Sequence, residues 1–410
     1  MFGASAAGPR VGLRVAAVLA VLAAASTLPA AAAVRTAART GRLAAGTIAA
    51  NEIRAGFVET VIADSLDSPV SMAIAPDGRV FVCEQRGRLR VIVADRLRPR
   101  PFLVLPTQAV IEEGLLGVAF DPAFGRNHRL YVCYTALSPH RHNRVSRFTA
   151  ANDTVVAGSE KILLELDALG EHNLVGGALR FGLDGKLYVS TGENGIGPLA
   201  QSLGSTAGKL LRIAPDGTIP AQNPFFAGTA GARRAIWARG LRNPFSFDID
   251  PRNGRILVND VGAGSTEEID EIVAGGNYGW PMFEGPGGQL PLRSPIYSYR
   301  HDAGCAITGA AFYAPRTTSF PREWLGRYLF GEYCRNEIRW LDPLHPAQAG
   351  VFGVTLVPGP VDLRVARDGT LYYLARGNSN PVGGAGTASG VVVRVTHSPV
   401  DDPVSRSRAR

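Results

Sequence analysis

The chain has 410 residues, 46% of them hydrophobic, with 48 glycines and 28 prolines, so it is long enough to bury a sizeable core in one large domain. The formal net charge is +8, but residues 1–42 carry five arginines and no acid, and residues 401–410 carry three arginines and two aspartates. The part between these ends is close to neutral, about +2. It has no basic stripe, so nucleic acid is not expected as a partner.

The N-terminal residues have the pattern of a secretory signal. Arg10 and Arg14 precede an apolar run from Val15 to Ala25, and small residues follow up to Ala33. A membrane anchor is the alternative, but this run is too short to cross a bilayer comfortably. We predict a signal peptide at 1–33, a flexible leader at 34–52, no transmembrane segment in the mature chain, and a periplasmic or extracellular location.

One pattern recurs along the chain: a turn with Asp or Asn, usually followed by Gly, and then an apolar strand. Each copy also has an apolar strand before its turn. Five copies lie near Gly78, Asn127, Gly185, Gly254 and Gly369, and a looser sixth copy, with Gly but without Asp or Asn in its turn, lies near Gly326. Because one such unit buries its faces only against its neighbours, the repeat predicts an all-β fold. We expect a six-bladed β-propeller with four strands in each blade over residues 53–398, followed by a disordered tail at 399–410. A β-sandwich would space its strands more evenly, and a βαβ barrel would need helical periods between them.

The stretch from Ile236 to Pro281 brings several candidate functional residues together. Arg242 and Asn243 precede one strand-like run, and the glycine-rich corner 262–264 follows the next. An arginine clamps an anion bidentately, and a glycine-rich corner lets the backbone approach a ligand closely. Four acids with hard oxygen ligands of the kind that Ca²⁺ prefers come next: Glu267, Glu268, Asp270 and Glu271.

The chain contains the motifs EEGLLGVAFDPAF, RFGLDGKLYVSTGEN, GLRNPFSFDID, NDVGAGSTEEIDEI, GGNYGWP and GCAITGAAFY. Together they resemble the glucose/sorbosone dehydrogenase family, from about Phe57 to Val395. The soluble members are aldose dehydrogenases that use pyrroloquinoline quinone (PQQ), and non-enzymatic relatives share the fold. The resemblance implies oxidation of an aldose to its lactone by hydride transfer to PQQ with calcium assistance, using a sugar substrate and an external electron acceptor. A non-enzymatic propeller that binds carbohydrate or protein at its axial mouth is the alternative.

The resemblance implies two calcium sites. The carbonyls of Gly262 and Ala263 match the family's calcium ligands at the cofactor. Glu268 and the carbonyl of Tyr278 match a second, structural calcium site. A solvated acidic turn would carry the same residues and is the alternative for the second site.

The resemblance also implies residues for the cofactor, the substrate and the base. Arg242 and Asn243 match residues that contact the cofactor and substrate, and Arg242 would act in catalysis by stabilising the reduced quinone. An ion pair at the blade mouth would also account for Arg242. Glu112 stands at a polar substrate contact of the sugar-oxidising members, where a solvated acid fits equally well. The family register places Leu174 where the catalytic histidine is expected, and His172 lies two residues upstream. Either an insertion has moved the base, which is then His172, or the base is absent.

Four cysteines fit an oxidising compartment. Cys305 and Cys334 each lie near a turn and are the favoured disulfide, which the family resemblance supports. Cys83 and Cys133 occupy matching positions in neighbouring repeats. They either pair with each other or remain as buried thiols.

The sequence assigns no specific role to several other polar and charged residues. Glu193 and Asn194 are expected near the axis, and His301 is expected to be structural. The cations that would hold the PQQ carboxylates are not identified. The available arginines of the last repeat, most of them expected at the surface, are Arg364, Arg367, Arg376 and Arg394.

Overall fold

The computed structural model describes residues 53–288, 291–377 and 388–398. The predicted signal peptide at 1–33, leader at 34–52 and tail at 399–410 lie outside the described residues. Within the described ranges, no helix is long and apolar enough to cross a membrane.

The described residues form six antiparallel sheets. In chain order the strands are β1 Phe57–Leu66, β2 Pro69–Ile74, β3 Val80–Glu84, β4 Arg88–Val93, β5 Arg96–Leu97, β6 Leu103–Val104, β7 Leu115–Phe120, β8 Arg129–Ala136, β9 His142–Ala151, β10 Thr154–Val155, β11 Lys161–Ala168, β12 Leu179–Phe181, β13 Leu187–Thr191, β14 Lys209–Ile213, β15 Ile236–Arg239, β16 Pro244–Ile249, β17 Ile256–Asp260, β18 Thr266–Ile272, β19 Tyr297–Arg300, β20 Ile307–Phe312, β21 Tyr328–Glu332, β22 Glu337–Asp342, β23 His345–Val354, β24 Pro360–Val365, β25 Leu371–Ala375 and β26 Gly390–His397. The short helical segments are α1 Phe124–Asn127 and the 3-10 turns Gly197–Ala200, Gly231–Ala235 and Arg322–Trp324.

Each blade begins with the hairpin that the sequence repeat predicts. The six hairpins are β2–β3, β7–β8, β12–β13, β16–β17, β20–β21 and β24–β25. Just before the second strand the backbone adopts positive φ, which favours glycine. Five copies have glycine there, with φ from +69° at Gly185 to +93° at Gly326, and the second copy has His128 at +53°. The predicted six-bladed all-β propeller is confirmed.

The ring closes by pairing the two ends of the described chain. Strand β1 lies antiparallel to β26, with Phe57 opposite His397, so the outer strand of the sixth blade comes from the start of the chain. Two blades exceed the predicted four strands, because β6 adds to β4 and β11 adds to β9. The first strands of the blades contact one another in a ring around the axis, in the order β2, β7, β12, β16, β20 and β24.

Apolar layers fill the space between neighbouring blades. Between the first two blades, Phe81 meets Phe102 and Phe120 edge to face, with ring centroids 4.9 and 4.8 Å apart. Aromatic pairs of this geometry add to the burial of their surface. The packed layers hold the six first strands in place, and the strands in turn position the loops at the axis.

The cysteines divide into one bridge and two thiols. Cys305 and Cys334 form the predicted disulfide, with Cα atoms 5.7 Å apart. The bridge joins the segment before β20 to the segment after β21, so it braces the loops of the fifth blade. Cys83 on β3 and Cys133 on β8 are free and buried.

Candidate active site at the axial mouth

A cavity of about 180 Å³ lies on the propeller axis, at the beginnings of the first strands. All six blades contribute to its walls, most of which are valine, isoleucine, phenylalanine, alanine and glycine. The polar side chains in the lining are Gln85, Glu112, Asn243, Thr308, Tyr333 and Arg376. A concave, mainly apolar pocket with a few convergent polar groups is typical of a small-molecule site.

Four lining residues occupy the same place in the sequence repeat. Gln85, Val261, Tyr333 and Arg376 each follow directly after the second strand of their blade. Equivalent positions of propeller blades face the same axis, so aligning the repeats would have singled out Arg376 among the arginines of the last repeat. Its Nη2 donates to Gln85 Oε1 at 3.0 Å, and burial lowers the pKa of its guanidinium.

The other arginines of the last repeat lie elsewhere. Arg364 is deeper on the axis, where it pairs with Asp362 at 2.5 Å. Arg394 pairs with Asp95 at 2.6 Å near the surface, and Arg367 is exposed. Arg376 is therefore the member of this group that lines the axial cavity.

Glu112 is a carboxylate in the cavity wall, and its role in substrate binding stays a prediction. Its Oε2 accepts the Leu174 N–H at 3.1 Å and Asn243 Nδ2 at 3.2 Å. Burial raises the pKa of Glu112, and these donors together with the charge of Arg242 oppose the rise. The carboxyl group thus retains its proton to a higher pH than an exposed glutamate.

Arg242 and Asn243 stand at the entrance to β16, held by their backbones. Their N–H groups donate to the two oxygens of Asp260 at 2.8 and 2.6 Å. The Arg242 guanidinium bonds the carbonyls of Val261 and Gly262 at 2.8 and 2.6 Å and lies 5.4 Å from the Trp280 ring. Asn243 points into the axial cavity, while Arg242 lies beside it.

The predicted calcium ligands Gly262 and Ala263 belong to a corner wrapped around Glu284. Four successive N–H groups, beginning with that of Ala263, donate to Glu284 Oε1 at 2.8 to 3.2 Å. Although burial opposes the effect, these donors hold the pKa of Glu284 below its usual value. The corner therefore has a fixed backbone, in which the Gly262 carbonyl faces the cationic Arg242.

Behind this corner lie four buried acids of the fourth blade: Asp260, Glu267, Glu268 and Asp270. Burial raises the pKa of all four, and repulsion by neighbouring acids adds to the rise for all but Glu267; the pKa of Asp260 is raised to about 7 and that of Glu268 to about 8. Both carboxylate oxygens of Asp270 are buried without a hydrogen-bond partner among the described residues. A small cavity between Arg242 and these acids is lined by Asp260, Glu268 and Tyr278. Carboxylate oxygens are the ligands that Ca²⁺ prefers, so Asp270, one of the four acids singled out in the sequence, joins Glu268 as a ligand candidate.

The predicted base, His172, is engaged by two charged neighbours. Its Nδ1 lies 3.1 Å from Glu113 Oε1, and Arg141 Nη1 lies 3.0 and 3.1 Å from its ring nitrogens. Arg141 Nε is also 3.0 Å from Glu113 Oε1. The imidazole is 38% exposed and is not among the described residues that line the axial cavity. Leu174 is buried with φ at +55°. The role of His172 stays a prediction.

The remaining residues near the axis fall into two kinds. The Glu193 N–H donates to the Arg242 carbonyl at 2.9 Å, and burial raises the Glu193 pKa against the charge of Arg242. Glu193 Oε2 and Asn194 Oδ1 are buried without a partner in the described part of the chain. His301 instead bonds Glu267 through Nε2 at 2.7 Å, which fits the structural role expected for it.

The fold and the cavity define a class of protein: a six-bladed propeller with a mainly apolar cavity on its axis. The chain belongs to the glucose/sorbosone dehydrogenase family, whose model matches residues 66–380.

Known proteins similar to the chain include enzymes and a binding protein. The aldose sugar dehydrogenase YliI of Escherichia coli is 29% identical over 289 residues, covering 66% of this chain and 76% of that protein. The mouse Hedgehog-interacting protein is 30% identical over 228 residues, covering 48% of this chain and 32% of that protein. The PQQ-bound structure of the Streptomyces coelicolor aldose sugar dehydrogenase has the same fold, with 24% identity, a TM-score of 0.68 and coverage of 84% and 99% of the two chains.

Proposed function

We propose that this protein is a sugar oxidoreductase that takes PQQ and an aldose at the axial mouth and oxidises the aldose to its lactone. The cavity itself carries the proposal, because Glu112, Asn243 and Arg376 converge there among apolar walls. Apolar walls exclude water, and a few fixed polar groups orient a ligand. Membership of the glucose/sorbosone dehydrogenase family supports this function.

The side chains at the mouth fit an anionic quinone. Arg376 lines the cavity and Arg242 lies beside it. Arg242 Nε and Asn243 Oδ1 are buried and have no hydrogen-bond partner among the described residues. These three side chains would hold the cofactor through charge and hydrogen bonds. When bound, PQQ supplies the acceptor for the hydride that leaves the sugar.

The same region fits cations. The carbonyls of Gly262 and Ala263 are the proposed calcium ligands beside the cofactor, and the Gly262 carbonyl already faces the guanidinium of Arg242 at 2.6 Å. Glu268 and the Tyr278 carbonyl are the proposed ligands of a second calcium ion. The unpartnered Asp270 carboxylate supports this second site, because a buried acid without a donor is stabilised by a metal.

A second function is favoured by the state of His172. Its ring is held by Glu113 and Arg141 rather than in the cavity lining. A propeller without a base at the mouth would bind carbohydrate or protein there and not oxidise it. The similarity to the mouse Hedgehog-interacting protein supports this second function, binding without oxidation.

The test begins with binding and continues with turnover. Equilibrium dialysis with PQQ, in calcium and in chelator, should show calcium-dependent binding to the purified protein. An aldose panel with a redox dye should then give oxidation that needs PQQ. Arg376→Met should weaken PQQ binding, while Arg394→Met, at an arginine outside the cavity, should not. Failure to bind PQQ contradicts the proposal, and sugar binding without dye reduction favours the second function.

A further inference from the structure

One carboxylate lies against the residue that the family register puts at the position of the base. That register puts Leu174 at the position of the family histidine, and the Leu174 N–H donates to Glu112 Oε2 at 3.1 Å. The loop connection is tight, because the Glu112 N–H donates to the His172 carbonyl at 3.0 Å. The backbone of this loop is thus bonded to Glu112, and it is Glu112 that lines the cavity, while the imidazole is not among the described lining residues.

The surroundings of Glu112 suit a proton acceptor. Apolar walls of the cavity disfavour the charged carboxylate, and burial raises its pKa. The charged groups that act on it are Arg242 and Arg376, and the Tyr333 side chain lines the same cavity. A base is most efficient when its pKa lies near the working pH, so a partly desolvated glutamate is better matched than an exposed one.

We infer that Glu112 is the catalytic residue that accepts the proton of the sugar C1 hydroxyl in the proposed oxidation. The C1 carbon loses a hydride with its electron pair to a quinone oxidant, and the hydroxyl loses its proton to Glu112, so the carbon becomes the lactone carbonyl. Asn243 and the Leu174 N–H hold the carboxylate in place through Oε2. The inference rests on the proposed function, since it needs sugar and quinone in this cavity.

The test compares isosteric substitutions in the PQQ-loaded protein. Glu112→Gln should lower kcat by about 100-fold or more, as expected for loss of a general base, with PQQ and aldose affinity retained. Glu165→Gln, at a carboxylate that is 44% exposed on β11, is the matched control and should leave kcat unchanged. The acidic limb of the kcat/KM profile should be present in wild type and missing in Glu112→Gln.

A second readout needs no turnover. With ¹³C-labelled glutamate, the cofactor-free wild type should show a carboxyl group that titrates above the ordinary glutamate range and is absent from Glu112→Gln. An ordinary titration of Glu112 overturns the inference. So does full turnover in Glu112→Gln with loss of turnover in His172→Ala, which returns the role to His172 and leaves the proposed function intact. A wild type that oxidises no aldose removes the proposed function and this role together.

Discussion

Two regions beside the axial cavity differ in how their charges are balanced. The acidic region of the fourth blade, defined by Asp260, Glu267, Glu268 and Asp270, buries four carboxylates, and Asp270 has neither a hydrogen-bond donor nor an ion pair among the described residues. The histidine loop, residues 169–178, instead carries His172 against Glu113, which Arg141 also contacts. The first region has an excess of negative charge, and the second is paired.

Because of this difference, an added cation should stabilise the acidic region but have little effect on the histidine loop. Buried carboxylates without a counter-charge either hold protons or bind a metal. A buried carboxylate that already has an arginine gains little from added cations and loses much when the arginine is removed. The acidic region should therefore respond to calcium and pH, and the histidine loop should respond to substitution.

The largest effect is expected for Arg141→Met. The Glu113 carboxylate is fully buried, and Arg141 Nε lies 3.0 Å from it. Removing the cation leaves an uncompensated buried charge, so the free energy of unfolding should fall by about 3 kcal/mol in chemical denaturation. Arg144→Met is the matched control, because its partner Glu165 is 44% exposed, and it should cost less than about 1 kcal/mol. Equal losses in both variants would contradict the paired character of the histidine loop.

The next effect is the response of the acidic region to calcium and pH. Asp260 and Glu268 have folded pKa values raised to about 7 and about 8. Between the ordinary carboxyl pKa, about 4, and pH 8, the folded protein therefore binds more protons than the unfolded chain. In chelator, the free energy of unfolding should fall as the pH rises through this range to about 8. Calcium at 100 times its dissociation constant should restore about 2.7 kcal/mol at the upper end.

Thermal unfolding in chelator and in calcium, at pH values across this window, checks the response. Glu268→Gln should remove most of the calcium sensitivity while keeping the side-chain volume. Glu271→Gln is the matched control, because that carboxylate is already paired with Arg255 at 2.7 Å. A melting temperature that changes with neither calcium nor pH would contradict a cation site at these acids.

The fold followed from the sequence, but the site followed only in part. The repeat predicted six hairpins because an apolar strand after a positive-φ turn is a local signal, and all six formed. Arg376 was left among four arginines although the repeats carry its signal, since it directly follows the second strand of its blade, as the lining residues Gln85 and Tyr333 do. The pairing of His172 with Glu113 and Arg141 was not predicted, because it joins residues about 30 and 60 positions apart, and such contacts leave no local pattern.

Asp270→Asn should have opposite effects on the stability of the fold in chelator and in calcium. The aspartate is completely buried, and repulsion by Glu268 and Asp260 adds to burial in raising its pKa. In chelator near pH 8 the amide should stabilise the fold by about 1 kcal/mol, since it removes the cost of burying an acid. In calcium the same substitution should destabilise, because it removes a ligand. Denaturation in the two solutions gives both values, and the same sign in both would exclude Asp270 from the cation site.

The smallest effect is expected for His172→Ala. Its ring is 38% exposed, and Arg141 stays beside Glu113 when the ring is removed, so the buried carboxylate keeps its counter-charge. Partly exposed pairs of this kind contribute about 0.5 kcal/mol, which chemical denaturation should show as a small loss. In the Arg141→Met background the His172 ring is the polar contact left beside Glu113, and the same substitution should cost clearly more. A double-mutant cycle measures that coupling. If the losses of stability from the two substitutions simply add, then His172, Glu113 and Arg141 do not act as one paired group. In that case only the ion pair between Arg141 and Glu113 would distinguish the histidine loop from the acidic region.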